Sequence, residues 1–260
     1  MSGNSNLPGE INVLFPIKDY NPTQRTAYVT IFLILINVAV FLYQAVLSEQ
    51  PLAYHMVKSA MVPYEVTHAK NVEVPLGRDR FGRIVYFDGR DINPFLSILT
   101  SIFMHGSFWH LFGNMLFLWI FGNNIEDYLG KMRFLFFYLA AGVGASLVHI
   151  LFNANSLIPV IGASGAISGV MGAYLILYPN AKIRTLVFLF IFITFIDLPA
   201  FLFLIIWFVF QFLYAGDSSG IAWLAHVGGF VLGILMIKIM QRRPRVHIQQ
   251  RSSDDIDIIQ

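Results

Sequence analysis

Ser164 lies in the run Ile161-Gly162-Ala163-Ser164-Gly165-Ala166-Ile167-Ser168-Gly169, and His105, His110, Asn114, His149 and His226 are polar residues that cluster toward one side of long apolar stretches. A serine hydroxyl becomes a nucleophile when a neutral imidazole within about 3 Å takes its proton. The tetrahedral oxyanion formed by attack on a carbonyl then needs donors aimed at it. Asn114 stands four residues after His110, which puts an amide and an imidazole on one helix face. These parts suit peptide hydrolysis. Other chemistries lack their residues. The chain has no cysteine, which removes disulfides, thiolate metal sites and cysteine nucleophiles. No His-Glu-x-x-His zinc pattern occurs, and Asp197 and Asp217 fall at predicted helix ends, not as a pair inside spans. No metal and no cofactor is expected.

The elements that must position these residues are membrane helices. Charged residues make up 12% of the 260, about half the usual ~25%, and 57% are hydrophobic. Stretches able to cross a hydrocarbon core of about 30 Å run over 26–48, 107–123, 133–152, 164–178, 199–214 and 221–240. The predicted fold is therefore an all-α integral membrane bundle of six transmembrane helices, with a large external loop at 49–106. The first run is too long for the core of a cleaved signal and reads as a retained span. One helix over 183–214 would extend about 48 Å, but Asp197-Leu198-Pro199 interrupts it. The fifth span is set to begin at Pro199, suited to a first helical turn, leaving 183–196 as a re-entrant or interfacial segment.

Lys18 and Arg25, Lys131 and Arg133, Lys182 and Arg184, and Arg242, Arg243, Arg245 and Arg251 flank alternate sides of these spans, whereas 153–163 and 215–220 carry no Lys or Arg. By the positive-inside rule both termini are cytoplasmic. The domain plan is a cytoplasmic segment 1–25, a six-helix domain 26–240 and a mobile cytoplasmic tail 241–260. The expected location is a bacterial inner or plasma membrane, with the lipid bilayer as surroundings and the polar cluster open to the outer face. Within the 49–106 loop, Gly82-Arg83, Asp88-Gly89-Arg90-Asp91 and Pro94-Phe95-Leu96 suggest a folded external element ending at the interface. A net charge of +2, spread over loops, excludes a nucleic-acid partner.

Depth brings the polar residues together. The fourth span has about 15 residues, or ~22 Å, so its start at Ser164 lies about 8 Å below the outer surface. His226 sits about five residues, ~7.5 Å, into its own span. Small residues beside each (Gly162, Ala163 and Gly165; Ala225, Gly228 and Gly229) let the two helices approach closely. His149 reaches nearly the same level, and only the glycines favour His226. Each residue alone has a plainer reading: Gly165-x-x-x-Gly169 is a helix-packing pattern, and an interfacial histidine is usually an anchor. Glu126 and Asp127 beside Lys131 and Arg133 read as a charge network fixing a turn.

Three separated motifs, His105-x4-His110-x3-Asn114, Gly162-Ala163-Ser164-Gly165 and Ala225-His226-x-Gly228-Gly229-x3-Gly233, resemble those of the rhomboid intramembrane serine proteases. Glu126, Gly130 and Arg133 also match that family's turn after the second helix. The resemblance covers about residues 26–240. It implies a Ser164–His226 dyad without a third acid, an oxyanion hole of His110, Asn114 and the Ser164 amide, and support from His105, Gly162, Gly165, Gly228 and Gly229. It also implies transmembrane protein substrates, cut where their helices are locally unstable. Some members carry a stacking tyrosine four residues after the serine; here that position is Ser168. Two other classes compete. An inactive rhomboid-like binding protein would not need both Ser164 and His226. A histidine-lined transporter would need polar residues through to the cytoplasmic side, where the halves of spans two, four and six carry no ionisable residue apart from Lys238 at the very end.

Overall fold

The computed structural model describes residues 14–47, 52–78, 81, 83–87, 92–189, 192–213 and 222–241. Strand β1 (Leu14–Asp19) leads into helix α1 (Tyr28–Leu42), which continues as a π-helical turn over Tyr43–Leu47. The long loop holds α2 (Leu52–Ser59), α3 (Pro63–His68), a hairpin of β2 (Val74–Arg78) and β3 (Ile84–Phe87), and α4 (Pro94–Thr100). After it come α5 (Phe108–Leu129), α6 (Lys131–Phe152) and α7 (Ser164–Leu177). The chain ends in β4 (Lys182–Leu189), β5 (Phe192–Pro199), α8 (Ala200–Leu213) and α9 (Trp223–Met240). The expected 215–220 loop, Gly82, the Asp88 to Asp91 cluster and the tail from 242 lie outside the described residues.

Among the described residues, Tyr28–Val46, α6 and α9 are each long and apolar enough to cross a membrane. The segment Pro94–Phe103 and α5 meet that standard together, bent by 79°, while α7 and α8 are shorter apolar helices of 14 residues, about 21 Å. Large apolar side chains face outward along the long helices: Phe32 and Leu35 on α1, Phe136 and Leu151 on α6, Leu235 and Ile239 on α9. In water such a surface would drive association; in lipid it is matched to its surroundings. This is an integral membrane protein.

Helix α7 occupies the centre, with Gly165 to Tyr174 all buried, as expected of a helix apolar on every side. Its glycines and those of α9 set the spacing. A Cβ at Gly229 would overlap the Gly165 carbonyl oxygen, one at Gly233 the Gly169 carbonyl, and one at Gly172 the Phe230 carbonyl. Backbone therefore packs on backbone between α7 and α9, the close approach that small residues allow.

Two expectations are corrected. The chain is mainly helical but not all-α, because 183–196 forms strands: β4 and β5 make an antiparallel hairpin, and β1 adds to it in the order β1-β4-β5. Ile183, Thr185 and Val187 are buried at every second position, the period of a strand with one covered face. Pro199 ends β5, where its missing N–H is tolerated, and α8 starts at Ala200. The second correction concerns Glu126, which is buried and caps α1 in place of the expected charge network. Its carboxylate accepts from Val29 N (2.9 Å), Thr30 N (2.7 Å) and Thr30 Oγ1 (2.9 Å). Asp127 accepts from Gln24 N (2.9 Å), and the Lys131 ammonium lies 4.1 Å over the Tyr28 ring.

Candidate active site

The loop before α7 is anchored where it must turn. Met61 and Val160 form an antiparallel bridge, Thr67 Oγ1 donates to Ala154 O (2.8 Å), and Gly162 N donates to Ser101 O (2.9 Å). Gly162 has φ +123°, a conformation open to glycine, and a Cβ there would also sit 2.8 Å from His110 Nε2. Absence of a side chain thus lets the His110 ring lie against the turn that delivers Ser164. At the first position of α7, Ser164 has no intrahelical acceptor for its N–H, and neither do the next amides.

His110 is placed by its own helix start: the side chain of Ser107, the N-cap of α5, accepts from His110 N at 3.1 Å. His105, fully buried, meets it edge to face with ring centroids 5.1 Å apart. One turn further on, Asn114 is buried, and its amide nitrogen has no hydrogen-bond partner among the described residues. A buried unpaired donor is costly, so this amide is suited to an acceptor that arrives with a ligand.

Ser164 Oγ lies 2.7 Å from His226 Nε2, the range of a strong hydrogen bond. His149, the other histidine at that level, has its buried Nδ1 unpaired; its carbonyl accepts from Asn153 Nδ2 at 3.0 Å. Gly228 brings α9 against α6, since a Cβ there would be 2.7 Å from Val148, and Gly229 brings it against Gly165. Gly165 in turn leaves room for Ala145 of α6, 2.8 Å from where its Cβ would be. Ser168 does not reach the imidazole; its hydroxyl donates to Ser164 O at 2.6 Å. Ser164, His226, His110 and Asn114 border one cavity of about 590 Å³.

Two residues that sequence reasoning missed also meet His226. Gln211 Oε1 lies 2.7 Å from His226 Nδ1, and the Trp207 ring lies near the imidazole, with centroids 6.1 Å apart and planes tilted by 38°. Gln211 had a visible signal, as the lone strongly polar residue of Ala200–Leu213. Trp207 had none, being one aromatic among several.

A mainly helical membrane protein with a serine hydroxyl on an imidazole at a buried helix start is the class that fold and site define. A Rhomboid domain matches residues 93–243, more than half of the chain, and the chain belongs to the rhomboid family. It is 34% identical over 151 residues to Rhomboid protein 1, mitochondrial, of Saccharomyces cerevisiae, a match covering 54% of this chain and 40% of that protein. Rhomboid protease GluP of Bacillus subtilis is 44% identical over 78 residues, covering 30% of this chain and 15% of that protein. Putative rhomboid protease YdcA of the same species is 30% identical over 152 residues, 56% of this chain and 69% of that protein. The chain spans less than half the length of the first two. These relatives include mitochondrial and bacterial proteins, so the similarity singles out no compartment.

Proposed function

We propose that the chain is an intramembrane serine endopeptidase that hydrolyses peptide bonds in or near transmembrane segments of other proteins. The observation that carries this reading is the 2.7 Å contact between Ser164 Oγ and His226 Nε2. In the proposed reaction His226 Nε2 takes the hydroxyl proton while Ser164 Oγ bonds to the scissile carbonyl carbon. The oxyanion is held by the Ser164 N–H, the unpaired Asn114 amide and the His110 imidazole. The imidazolium then protonates the departing amine, leaving an acyl-serine that water, activated by the same imidazole, hydrolyses. Support comes from the family, and from relatives whose names include the word protease.

The proposal includes the arrangement around the site: a membrane domain 26–240 crossing six times (α1, α5, α6, α7, α8 and α9), both termini cytoplasmic, and the 49–106 element outside. The short α7 fits this plan, because a helix of about 21 Å leaves its start below the outer surface and within reach of water. A fluorophosphonate probe, which reacts with activated serines, tests the reading. Labelling of wild type that disappears in Ser164→Ala is expected; an unlabelled wild type, or labelling that survives the substitution, overturns it.

A further inference from the structure

Resting on the Ser164–His226 reading, we infer that Gln211 of α8 is a positioning residue that fixes the catalytic tautomer and aim of His226, the task a third acid or a stacking tyrosine would otherwise perform. The direction of the amide follows from its two contacts. Gln211 Nε2 donates to Trp207 O at 3.0 Å, which commits the nitrogen to the α8 backbone and turns Oε1 toward the imidazole. Oε1 has no hydrogen to give, so the 2.7 Å contact requires a proton on His226 Nδ1. The lone pair is then on Nε2, 2.7 Å from the Ser164 hydroxyl, where a general base needs it.

Gln211 is 5% exposed within a helix that is otherwise apolar. Its plainer role, an amide bonded to the carbonyl one turn back, uses Nε2 alone and would leave a buried carbonyl oxygen without a donor. His226 supplies that donor. Trp207, one turn before Gln211 on the same helix, lies beside the same imidazole with its plane tilted by 38°. Ser168, spent on the Ser164 carbonyl, offers the ring nothing. The acceptor is a neutral amide, so it sets orientation without placing a negative charge beside the imidazolium that forms during catalysis.

The test compares kcat and KM for cleavage of a transmembrane reporter by wild type, Gln211→Met and Gln211→Glu, per folded molecule, alongside fluorophosphonate labelling. Methionine keeps the length and removes the acceptor; glutamate keeps the acceptor. Q211M is expected to lose kcat by about 10²-fold or more, the scale of losing an oriented base, with KM within roughly twofold of wild type. Q211E is expected to recover at least about tenfold of that loss, a rescue that helix packing alone would not produce. Wild-type kcat in Q211M, or a Q211E as slow as Q211M, overturns the assignment. Where Q211M does not fold, Q211E decides: folded protein below about one-hundredth of wild-type kcat overturns it, and activity within about tenfold of wild type supports it. An unlabelled wild type removes the dyad reading and this one together, whereas labelled wild type with unimpaired Q211M removes Gln211 alone.

Discussion

Gly229→Ala places one methyl group where α7 and α9 touch backbone to backbone. Its Cβ would overlap the Gly165 carbonyl oxygen, inside the 3.0 Å that real Cβ contacts keep, and neither partner is a flexible side-chain end. The helices must part by about 1 Å at this level, because packed backbone does not yield in place. Gly229 is three residues from His226, and Gly165 follows Ser164, so the displacement falls on the dyad itself. Transmitted in full, about 1 Å stretches the 2.7 Å Ser164–His226 contact to about 3.7 Å, beyond hydrogen-bond reach. A shift of that size costs about 10²-fold in rate, and the overpacking costs about 1–3 kcal/mol of stability. The assay is reporter cleavage in detergent and in liposomes, with thermal unfolding of the same preparations. Ile239→Ala, on the outward face of α9, serves as the control expected to cleave normally. Wild-type turnover by Gly229→Ala at an unchanged melting temperature would refute the claim that this spacing sets the dyad.

Ser164→Ala and His226→Ala should each abolish cleavage, and the double variant should be no slower than either, since the two act as a unit; an active His226→Ala beside an inactive His149→Ala would reassign the base. Asn114→Ala should lose roughly 10- to 1000-fold in kcat while still labelling with the probe, and unchanged kcat would remove Asn114 from the oxyanion hole. Glu126→Ala should lower stability by about 1–3 kcal/mol, because the Val29 and Thr30 amides lose a buried acceptor; thermal unfolding reads this, and no change would contradict the capping role. Burial pushes the Asp19 carboxyl up from its ordinary value, against the lowering effect of bonds from Tyr174 and Asn124. A raised folded value means that this group's stabilisation is complete at low pH and declines as pH rises through it. Asp19→Asn should therefore flatten the fall in melting temperature from about pH 4 upward, seen as a wild-type-minus-variant difference; a constant difference would refute it.

The helices were legible because membrane crossing demands long apolar runs, and the polar cluster because such runs make every His, Asn or isolated Ser conspicuous. Ser164, His226, His110 and Asn114 stand out on that ground, and the structure gathers them around one cavity. The choice between His226 and His149 was not legible from depth, which differs little, and turned on glycines whose effect depends on which helix lies opposite. The β4–β5 hairpin was hidden because apolar residues on both strand faces read like a helix at a membrane surface. The capping role of Glu126 is hidden in the sequence because its partners lie 96 and 97 residues earlier in the chain, while two cations sit within seven residues of it. Gln211 is inconspicuous because one amide in an apolar helix ordinarily bonds its own backbone, and the histidine it faces is 15 residues away on the next helix.

The carboxylate cap of α1 has a consequence for biogenesis. Val29 leaves the ribosome 97 residues before Glu126 does, an interval of about 5–20 s at ordinary rates of synthesis. Throughout it the first amides of α1 lack their carboxylate acceptor, so this end of the helix is capped only once the last turn of α5 has been made. A nascent chain stopped before Glu126 lacks the cap of α1; one stopped just after carries the means to lock the first helix to the end of α5. Maturation of the first helix is thereby timed by the synthesis of the fifth.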